Sequence, residues 1–455
     1  MHLGNTRTAL FSALYSLSQK GDFLLRIEDT DKTRSKEEFV HQLMHDLQWL
    51  GLQWQEGPRH EKDNGPYYQS QRQAIYDAYY HTLLDKGLAY PCFCSEQQLA
   101  ISRKIQLSQG KPPRYTGTCR NLTKAEVEQK IAAGSQPVLR FNVPQGHHIA
   151  FNDLVKGAQL FNSDDIGDFI IKRTDGTSPF MYCNAIDDAL MGVTHVMRGE
   201  DHLTNTPRQV LILEALDLPV PQYAHFALIV GHDGSPLSKR HGSKSVHELR
   251  EQGYLSIAVT NYLGRLGHVY EDNQLLSLKA LGDKFDMNKL SKSPAKFDPH
   301  QLNYWQKEAV MSLSLDDLWQ WMGIEVHSLV PAAKQQLFVE TIRPNIEFPA
   351  QAKTWAEKLF DEKLNYSDEK IDILKSAGHA FCIEFATAVE DHGVSYKAIC
   401  EHLKNTLSIK GKQLFQPLRV ILTDELHGPE LDKILNIMGE ELVLSRINNA
   451  KKFLG

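Results

Sequence analysis

The spacing of apolar residues changes near residue 300, and this change constrains the fold more than any other feature of the chain. Before it, helical and strand-like segments alternate: residues 5–18 predict a helix, and Phe23–Ile27 predicts a short buried strand. After it, helical spacing continues, most clearly from Pro429 to Met438, where Gly439 indicates a helix end. Alternating helices and strands are typical of an α/β domain with a parallel sheet. The sequence therefore predicts an α/β domain followed by an all-helical domain.

An interruption of the alternation divides the α/β part. Residues 91–165 combine a cysteine pair, a polar helix and short strand-like runs, which indicates an inserted subdomain. The alternation returns with a helix that starts at Thr206-Pro207, a cap followed by proline at the first helical position, and with a strand at Phe226–Val230. The predicted domains are residues 1–90 and 166–235 for the α/β domain, 91–165 for the insertion, 236–300 for a loop and connecting region, and 301–455 for the helical domain.

The composition excludes several classes of protein. Of the 455 residues 42% are hydrophobic and 23% charged, as in ordinary soluble globular proteins. A membrane span is not expected because no apolar run reaches 18 residues, and the start of the chain has no secretory signal pattern. Six cysteines do not make a disulfide framework in so long a chain, which favours a cytoplasmic location. With a net charge of -6, any nucleic-acid surface has to come from local basic patches.

Two segments have residues suited to phosphate binding. His2-Leu3-Gly4-Asn5 stands at the start of the first predicted helix, where unpaired backbone N–H groups and a partial positive charge favour an anion. The glycine lets a nucleotide approach the backbone closely. Ser238-Lys239-Arg240 lies in a polar loop, and Lys239 is a point charge on a flexible stem, suited to a phosphate that moves. Taken alone, each segment is more often an ordinary helix start or a solvated basic loop.

Two further segments have residues suited to amino-acid recognition. The predicted strand Phe23–Ile27 ends in Glu28-Asp29-Thr30-Asp31, and ligands of open α/β sheets bind at this end of the strands. A carboxylate there can hold an ammonium group. Arg198, which follows Asn184 by 14 positions, is the residue type that pairs bidentately with a carboxylate. The alternatives are helix capping by the aspartates and a structural ion pair for the arginine.

Together, these segments resemble the class I aminoacyl-tRNA synthetases, and specifically bacterial glutamate–tRNA ligase. The segments at His2 and Lys239 are similar to the two signature motifs of that class. The resemblance extends over nearly the whole chain through further segments: Arg198–His202, Asn205–Gln209, Ser291–Asp298 and Gly428–Leu431. It implies a Rossmann-type catalytic domain, an inserted subdomain that grips the acceptor end of tRNA, and a helical anticodon-binding domain. A monomer is the expectation for this family.

The resemblance also implies a reaction and roles for single residues. Glutamate attacks the α-phosphate of ATP to give glutamyl-adenylate, and tRNA then takes the glutamyl group. ATP binding is implied for the following residues: His2, Gly4, Asn5, Ser238, Lys239 and Arg240. His2 and Lys239 are the implied catalytic residues. Glu28 matches the residue that holds the α-amino group of glutamate, Arg198 the one that pairs with its side-chain carboxylate, and Asn184 falls in the pocket. Phe180 stands where a tyrosine is usual. Mg²⁺ is expected to accompany ATP, held mainly by phosphates and water.

The front of the chain departs from the family pattern. The family begins with a strand and a turn similar to Pro-Ser-Pro-Thr-Gly, and this segment does not precede His2 here. We expect Met1 to be an internal methionine of a longer protein. A chain that started at Met1 is expected to have little or no activation activity.

The cysteines allow two interpretations. Cys92-x-Cys94, followed after 24 residues by Cys119, is similar to the zinc site of some family members. The residue expected as fourth ligand is Asn121, a poor ligand for zinc. The sequence therefore favours three packed thiols without a metal over a zinc site.

Three alternative functions fit the sequence less well than glutamate–tRNA ligation. Glutamine–tRNA ligase has a β-barrel C-terminal half, whereas residues 301–455 have helical spacing. The short paralogue that glutamylates a modified tRNA base lacks an anticodon-binding domain, for which this chain has a full domain of residues. A non-catalytic tRNA-binding relative is disfavoured by the presence of both His2 and Lys239.

Overall fold

The computed structural model describes residues 1–30 and 37–454, apart from the side chain of Lys239. The chain forms two compact units, one of Met1–His247 with Thr260–Pro299 and the other of Glu248–Val259 with His300–Gly455. In the part of the chain that the structure describes, no helix is sufficiently long and apolar to cross a bilayer.

The strands are β1 Ala89–Cys92, β2 Val138–Phe141, β3 His148–Asp153, β4 Gly157–Asn162, β5 Ile170–Lys172, β6 His195–Gly199, β7 Gln222–Phe226, β8 Ile229–Val230 and β9 Ala295–Lys296. The helices up to residue 283 are α1 Leu3–Gln19, α2 Glu37–Trp49, α3 Gln73–Asp85, α4 Glu96–Ser108, α5 Lys124–Ala132, α6 Phe180–Leu190, α7 Thr206–Ala215, α8 Val246–Glu251, α9 Ser256–Arg265 and α10 Leu278–Asp283. The later helices are α11 Pro299–Ser312, α12 Leu315–Met322, α13 Ile324–His327, α14 Gln335–Ile342, α15 Pro349–Phe360, α16 Asp368–His392, α17 Tyr396–Leu407, α18 Lys412–Thr423 and α19 Leu431–Lys451.

The strands form three sheets in the first unit. Strands β4, β3, β7 and β6 lie side by side in that order, with β7 parallel to both β3 and β6. Strands β1, β2 and β5 form an antiparallel sheet, and β8 pairs with β9. Among the described strands, parallel pairing is found around β7 and between β8 and β9, and the hairpin β3–β4 from the predicted insertion joins the same sheet as β6 and β7.

Helix α1 follows the prediction closely. The sequence predicts residues 5–18, and the structure has Leu3–Gln19 with Leu10, Phe11 and Leu14 buried on one face. The helix ends at Lys20, whose φ of 54° turns the backbone so that N–H groups return to the last carbonyls. Because this apolar face is buried, the orientation of helix α1 and of its first turn is fixed.

Two predicted strands are wrong in extent. Phe23–Ile27 makes only isolated bridges, Leu24 with Glu56 and Ile27 with Tyr68, because its two partners lie 12 positions apart and cannot form a continuous ladder. The last residue of the acidic segment that follows, Asp31, lies outside the described residues.

The predicted strand Phe226–Val230 is divided between two sheets. Strand β7 ends at Phe226, and β8 begins at Ile229. In between, the carbonyl of Ala227 accepts from Arg7, and the N–H of Leu228 donates to Glu200 Oε1 at 3.0 Å. Side chains thus take the place of a neighbouring strand at the point where the chain changes sheets.

The second unit has its own helical core. The described residues after β9 contain no strand, and buried apolar side chains from α12 to α19 pack together, among them Phe338, Phe381 and Leu418. The helix predicted from Pro429 begins at Leu431, and Gly439 interrupts it with a φ of 74° before helical structure continues to Lys451. The sequence thus indicates the break correctly but not the continuation.

Candidate active site

The start of α1 presents backbone donors without a side-chain cap. His2 occupies the N-cap position with an extended backbone, makes no side-chain capping bond and is exposed. Because the Thr6 N–H already donates to the His2 carbonyl, the free donors of the first turn are those of residues 3–5. A Cβ added to Gly4 would have open space around it, with no atom of another described residue within 4 Å. The turn therefore has the donors and the space for an anionic group, as the sequence predicts for His2, Gly4 and Asn5.

The second phosphate segment lies in a loop held by His241. The N–H of Ser238 donates to His241 Nδ1 at 3.2 Å, and Asp233 lies 3.1 Å from His241 Nε2. Arg240 is exposed and donates to Ser235 Oγ at 2.7 Å. Farther along, the Val246 N–H donates to the carbonyl of Met1 at 2.9 Å. This hydrogen bond ties the segment that follows the loop to the residue before His2. The side chain of Lys239 lies outside the described part of the chain.

Glu28 is exposed and lies beside Asn184. Its side chain reaches solvent, and Oε1 accepts a hydrogen bond of 2.6 Å from Asn184 Nδ2. Desolvation by the surrounding protein raises the pKa of the Glu28 carboxyl, in spite of the opposite effects of Arg26 and Asn184. No hydrogen bond from the described residues engages the second oxygen. A carboxylate oxygen is therefore available to an ammonium group.

Asn184 is held in the orientation that it needs. Its Oδ1 accepts from Gln69 Nε2 at 2.7 Å, so the amide nitrogen points to Glu28. Gln69 also donates to Asp187, a fully buried carboxylate that accepts from Arg72 Nε and from the Tyr76 hydroxyl, both at 2.7 Å. Gln69 and Arg72 were not identified from the sequence, because their role arises from partners more than 100 positions away and no local pattern indicates it.

Arg26 connects the acidic segment to α6. Its Nη2 lies 2.8 Å from Asp188 Oδ1, and the side chain is mostly buried. Burial by itself would lower the pKa of Arg26, but Asp188 and Asp187 raise it above the ordinary value, so the guanidinium stays charged. This ion pair fixes the end of Phe23–Ile27 against the helix that carries Asn184.

Arg198 is held on one side and free on the other. Its Nε donates to His225 Nε2 at 3.2 Å, and Nη2 donates to Thr206 Oγ1 at 2.9 Å and to Gln209 Oε1 at 2.6 Å. No hydrogen bond from the described residues engages Nη1. Desolvation lowers the pKa of the guanidinium, while the charges of Asp188 and Glu28 raise it. Arg198 therefore lies within electrostatic reach of Glu28, and the structure brings together all three residues predicted to recognise glutamate.

Phe180 begins α6 close to this group. Its ring lies 5.3 Å from that of His202, centroid to centroid. The position is thus filled by an aromatic contact, without the hydroxyl that the family usually has there.

The three cysteines form a cluster with an oxygen that the spacing did not reveal. The Sγ atoms of Cys92, Cys94 and Cys119 lie within 4.8 Å of one another. The Tyr115 hydroxyl lies 3.3 Å from Cys92 Sγ and 3.5 Å from Cys94 Sγ. Asn121, the predicted fourth position, is exposed. Three cysteine sulfurs are ligands that structural zinc sites use, and the Tyr115 hydroxyl is a further polar group beside them that only the fold reveals.

Comparison with known proteins identifies the family. Residues 1–304 match the family model described as "tRNA synthetases class I (E and Q), catalytic domain", and residues 314–451 match "Anticodon binding domain". "Glutamate--tRNA ligase 2" of Coxiella burnetii is 57% identical over 450 residues, 99% of this chain and 97% of that protein. "Glutamate--tRNA ligase 2" of Nitrosococcus oceani is 54% identical over 449 residues, 99% of this chain and 95% of that protein.

A solved structure is also similar. The crystal structure of a glutamate tRNA ligase from Elizabethkingia meningosepticum, in complex with its amino acid, superposes with a TM-score of 0.90 at 27% identity, over 100% of this chain and 97% of that one. The predicted fold class, a class I synthetase catalytic domain followed by a helical anticodon-binding domain, is confirmed. The chain therefore belongs to the glutamate–tRNA ligases, a family of class I aminoacyl-tRNA synthetases.

Proposed function

We propose that this chain ligates L-glutamate to tRNA through glutamyl-adenylate, with Glu28 and Arg198 as the recognition pair. The observation that carries this proposal is that, within residues 1–30 and 37–454, no hydrogen bond engages Nη1 of Arg198 or the second carboxylate oxygen of Glu28. Glutamate has an ammonium group for Glu28 and a side-chain carboxylate for Arg198. Asn184, held by Gln69, keeps the Glu28 carboxylate in place.

We assign the ATP side to the two phosphate segments. The N–H groups at the start of α1, with His2, Gly4 and Asn5, would bind phosphate oxygens, and Ser238, Lys239 and Arg240 would hold the departing pyrophosphate. The first turn of α1 has no acidic side chain. Mg²⁺ would therefore be held by the phosphates and water rather than by this helix, and it would neutralise developing negative charge.

We propose that the cysteine cluster binds a structural zinc ion, with Tyr115 in the place that the sequence left to Asn121. The support is the approach of three sulfur atoms and the Tyr115 hydroxyl. Zinc bound there would tie the end of β1 to the loop that contains Cys119. This proposal differs from the three packed thiols that the sequence favours, because the spacing alone did not reveal the fourth donor.

We propose that tRNA contacts a basic cavity in the first unit. The cavity has a volume of about 630 Å³ and includes four arginines in its lining: Arg103, Arg114, Arg140 and Arg173. Arg140 is buried, with its guanidinium 3.8 Å from the ring centre of Tyr115, whereas the other three are exposed. Exposed guanidinium groups suit the phosphates of an RNA strand.

The domain boundaries and the monomeric state stay predictions.

Aminoacylation tests the proposal directly. Purified protein is incubated with labelled glutamate, ATP, Mg²⁺ and total tRNA, beside a version extended upstream to the next start codon. We expect label in tRNA with glutamate and much less with glutamine, which lacks the second carboxylate. Binding of tRNA without charging by either version would contradict the proposal and support the non-catalytic alternative.

A further inference from the structure

A buried carboxylate and imidazole lie behind Arg198, on the side away from its free nitrogen. The adjacent strands β3, β7 and β6 carry Asp153, His225 and Arg198: Arg198 pairs with His225 in register, and Asp153 pairs with Tyr223, two residues before His225. His225 Nδ1 lies 2.5 Å from Asp153 Oδ2, and His225 Nε2 lies 3.2 Å from Arg198 Nε. Asp153 is 1% exposed and His225 is 0% exposed, so neither group exchanges these partners for water.

The hydrogen-bond partners determine which nitrogen of His225 carries the proton. Arg198 is a donor only, so His225 Nε2 has to accept from Arg198 Nε. Thr206 Oγ1 accepts from Arg198 Nη2, and its one O–H proton has two acceptors in reach, His225 Nε2 at 3.0 Å and the His202 carbonyl at 3.4 Å. With Nε2 accepting, the proton is on Nδ1 and is donated to Asp153.

The carboxylate of Asp153 is itself fixed in orientation. Its Oδ1 accepts from the backbone N–H groups of Val155 at 2.9 Å, Lys156 at 2.8 Å and His225 at 3.2 Å. Burial alone would raise the pKa of Asp153, but the bonds from His225 and from these backbone groups lower it below its usual value. Oδ2 is thus left as an anionic acceptor directed at His225.

We propose that Asp153 and His225 are positioning residues for glutamate recognition. Asp153 holds His225 as the Nδ1–H tautomer, and the imidazole lone pair holds Arg198 so that Nη1 faces the substrate carboxylate. This inference rests on the proposed function, since it acts through Arg198.

The variant Asp153→Asn tests the tautomer without changing size. Three backbone N–H groups keep the amide oxygen in the place of Oδ1, so the amide NH₂ faces His225 Nδ1. The imidazole proton is then forced onto Nε2, where it opposes the N–H of Arg198. Loss of a hydrogen bond to a charged group predicts that the KM for glutamate rises about tenfold or more, while the KM for ATP changes little.

A double-mutant cycle separates positioning from general damage. In a His225→Ala background, Asp153→Asn should add no further increase in the KM for glutamate, because the group through which it acts is gone. The matched control is Asp175→Asn, which removes an exposed carboxylate that also accepts a backbone N–H, from Thr177 at 2.9 Å. This control should leave both KM values unchanged.

The outcomes distinguish this inference from the function on which it rests. If the parent protein charges tRNA but Asp153→Asn leaves the KM for glutamate unchanged, or raises it equally in the His225→Ala background, the positioning role is wrong. If the parent protein does not charge tRNA, the proposed function fails first. If Asp153→Asn does not fold, the tautomer of His225 can be measured in the parent protein by nitrogen-15 NMR with labelled histidine. The signal of His225 is assigned because it is missing from the spectrum of His225→Ala. An Nδ1–H tautomer supports the inference, and an Nε2–H tautomer overturns it.

Discussion

The environment of Glu28 destabilises the ionised form of its carboxyl group. Desolvation raises the pKa of its carboxyl, and protonation would remove the negative charge that holds the substrate ammonium. Binding of glutamate should therefore weaken as the pH falls through this raised pKa, at a higher pH than for a glutamate side chain with the ordinary pKa. We expect the KM for glutamate to rise on acidification in the parent protein and to be high at every pH in Glu28→Gln. Aminoacylation at varied pH measures this, and an identical pH profile in the variant would contradict it.

The substitution Arg198→Lys tests the positively charged member of the recognition pair. Arg198→Lys keeps the positive charge but loses the planar fork that bonds Thr206, Gln209 and His225 while presenting Nη1. We expect the KM for glutamate to rise by about 10- to 100-fold, the loss of one or two hydrogen bonds to a charged group, with the KM for ATP nearly constant. Arg208→Lys is the matched control, since Arg208 lies outside this set and donates to the Thr204 carbonyl at 2.8 Å. An unchanged KM for glutamate in Arg198→Lys would remove Arg198 from the recognition pair.

Residue types could be predicted where the chemistry requires a particular group. Glu28, Asn184 and Arg198 are implied by the family resemblance, and side-chain chemistry agrees for two of them, because a carboxylate suits an ammonium group and an arginine suits a carboxylate. Gln69 and Tyr115 were not identified, since each acquires its role from partners that are distant in the sequence. Long-range placement of polar groups has no local signature, and it therefore escapes reasoning from one sequence.

At the scale of elements, helices were easier to predict than strands. Helix α1 has one apolar face with a glycine just beyond its end, and α7 begins with proline in its first turn, so both carry their signals within or next to the segment itself. A strand depends on partners elsewhere, and the predicted strands at Phe23–Ile27 and Phe226–Val230 were wrong in extent for this reason. The break at Gly439 was predicted because a positive φ is a local property of glycine.

The helical unit depends on one buried cation, Arg446 in α19. It is 0% exposed and donates to the carbonyls of Asp361, Leu422 and Lys358, which close the ends of other segments. Burial lowers its pKa to about 10, so it remains charged at neutral pH. Arg446→Met leaves buried carbonyls without donors and should destabilise the unit by about 3 kcal/mol. Chemical denaturation followed by circular dichroism measures this against Lys452→Met, an exposed position in the same region that should have no effect. Equal stability of the two variants would contradict the role of Arg446.

The cysteine cluster gives a prediction for β1 and the Cys119 loop. Metal analysis of purified protein should find about one zinc per chain, from the four-donor rule for structural zinc sites. Tyr115→Phe should lower the zinc affinity and Cys119→Ala should abolish binding, while Asn121→Ala should change nothing, because Asn121 is exposed. Zinc-free protein in which Cys92, Cys94 and Cys119 react with a thiol reagent only after denaturation would instead support the three packed thiols.

The net charge of the whole molecule does not indicate a protein that binds RNA. A net charge of -6 disfavours a general attraction for RNA, so affinity has to come from placed cations such as those of the basic cavity. Affinity for tRNA should therefore fall as salt increases, because each phosphate contact releases counterions. Arg114→Gln with Arg173→Gln should weaken binding and reduce the slope of log affinity against log salt by about 0.7 to 0.9 for each lost contact. Arg59→Gln, an exposed arginine outside the cavity lining, is the control and should leave the slope unchanged. Fluorescence anisotropy of labelled tRNA across a salt series measures both quantities. If the double variant and the control give the same slope, the acceptor strand does not use this cavity, and the phosphate contacts have to be sought on another surface.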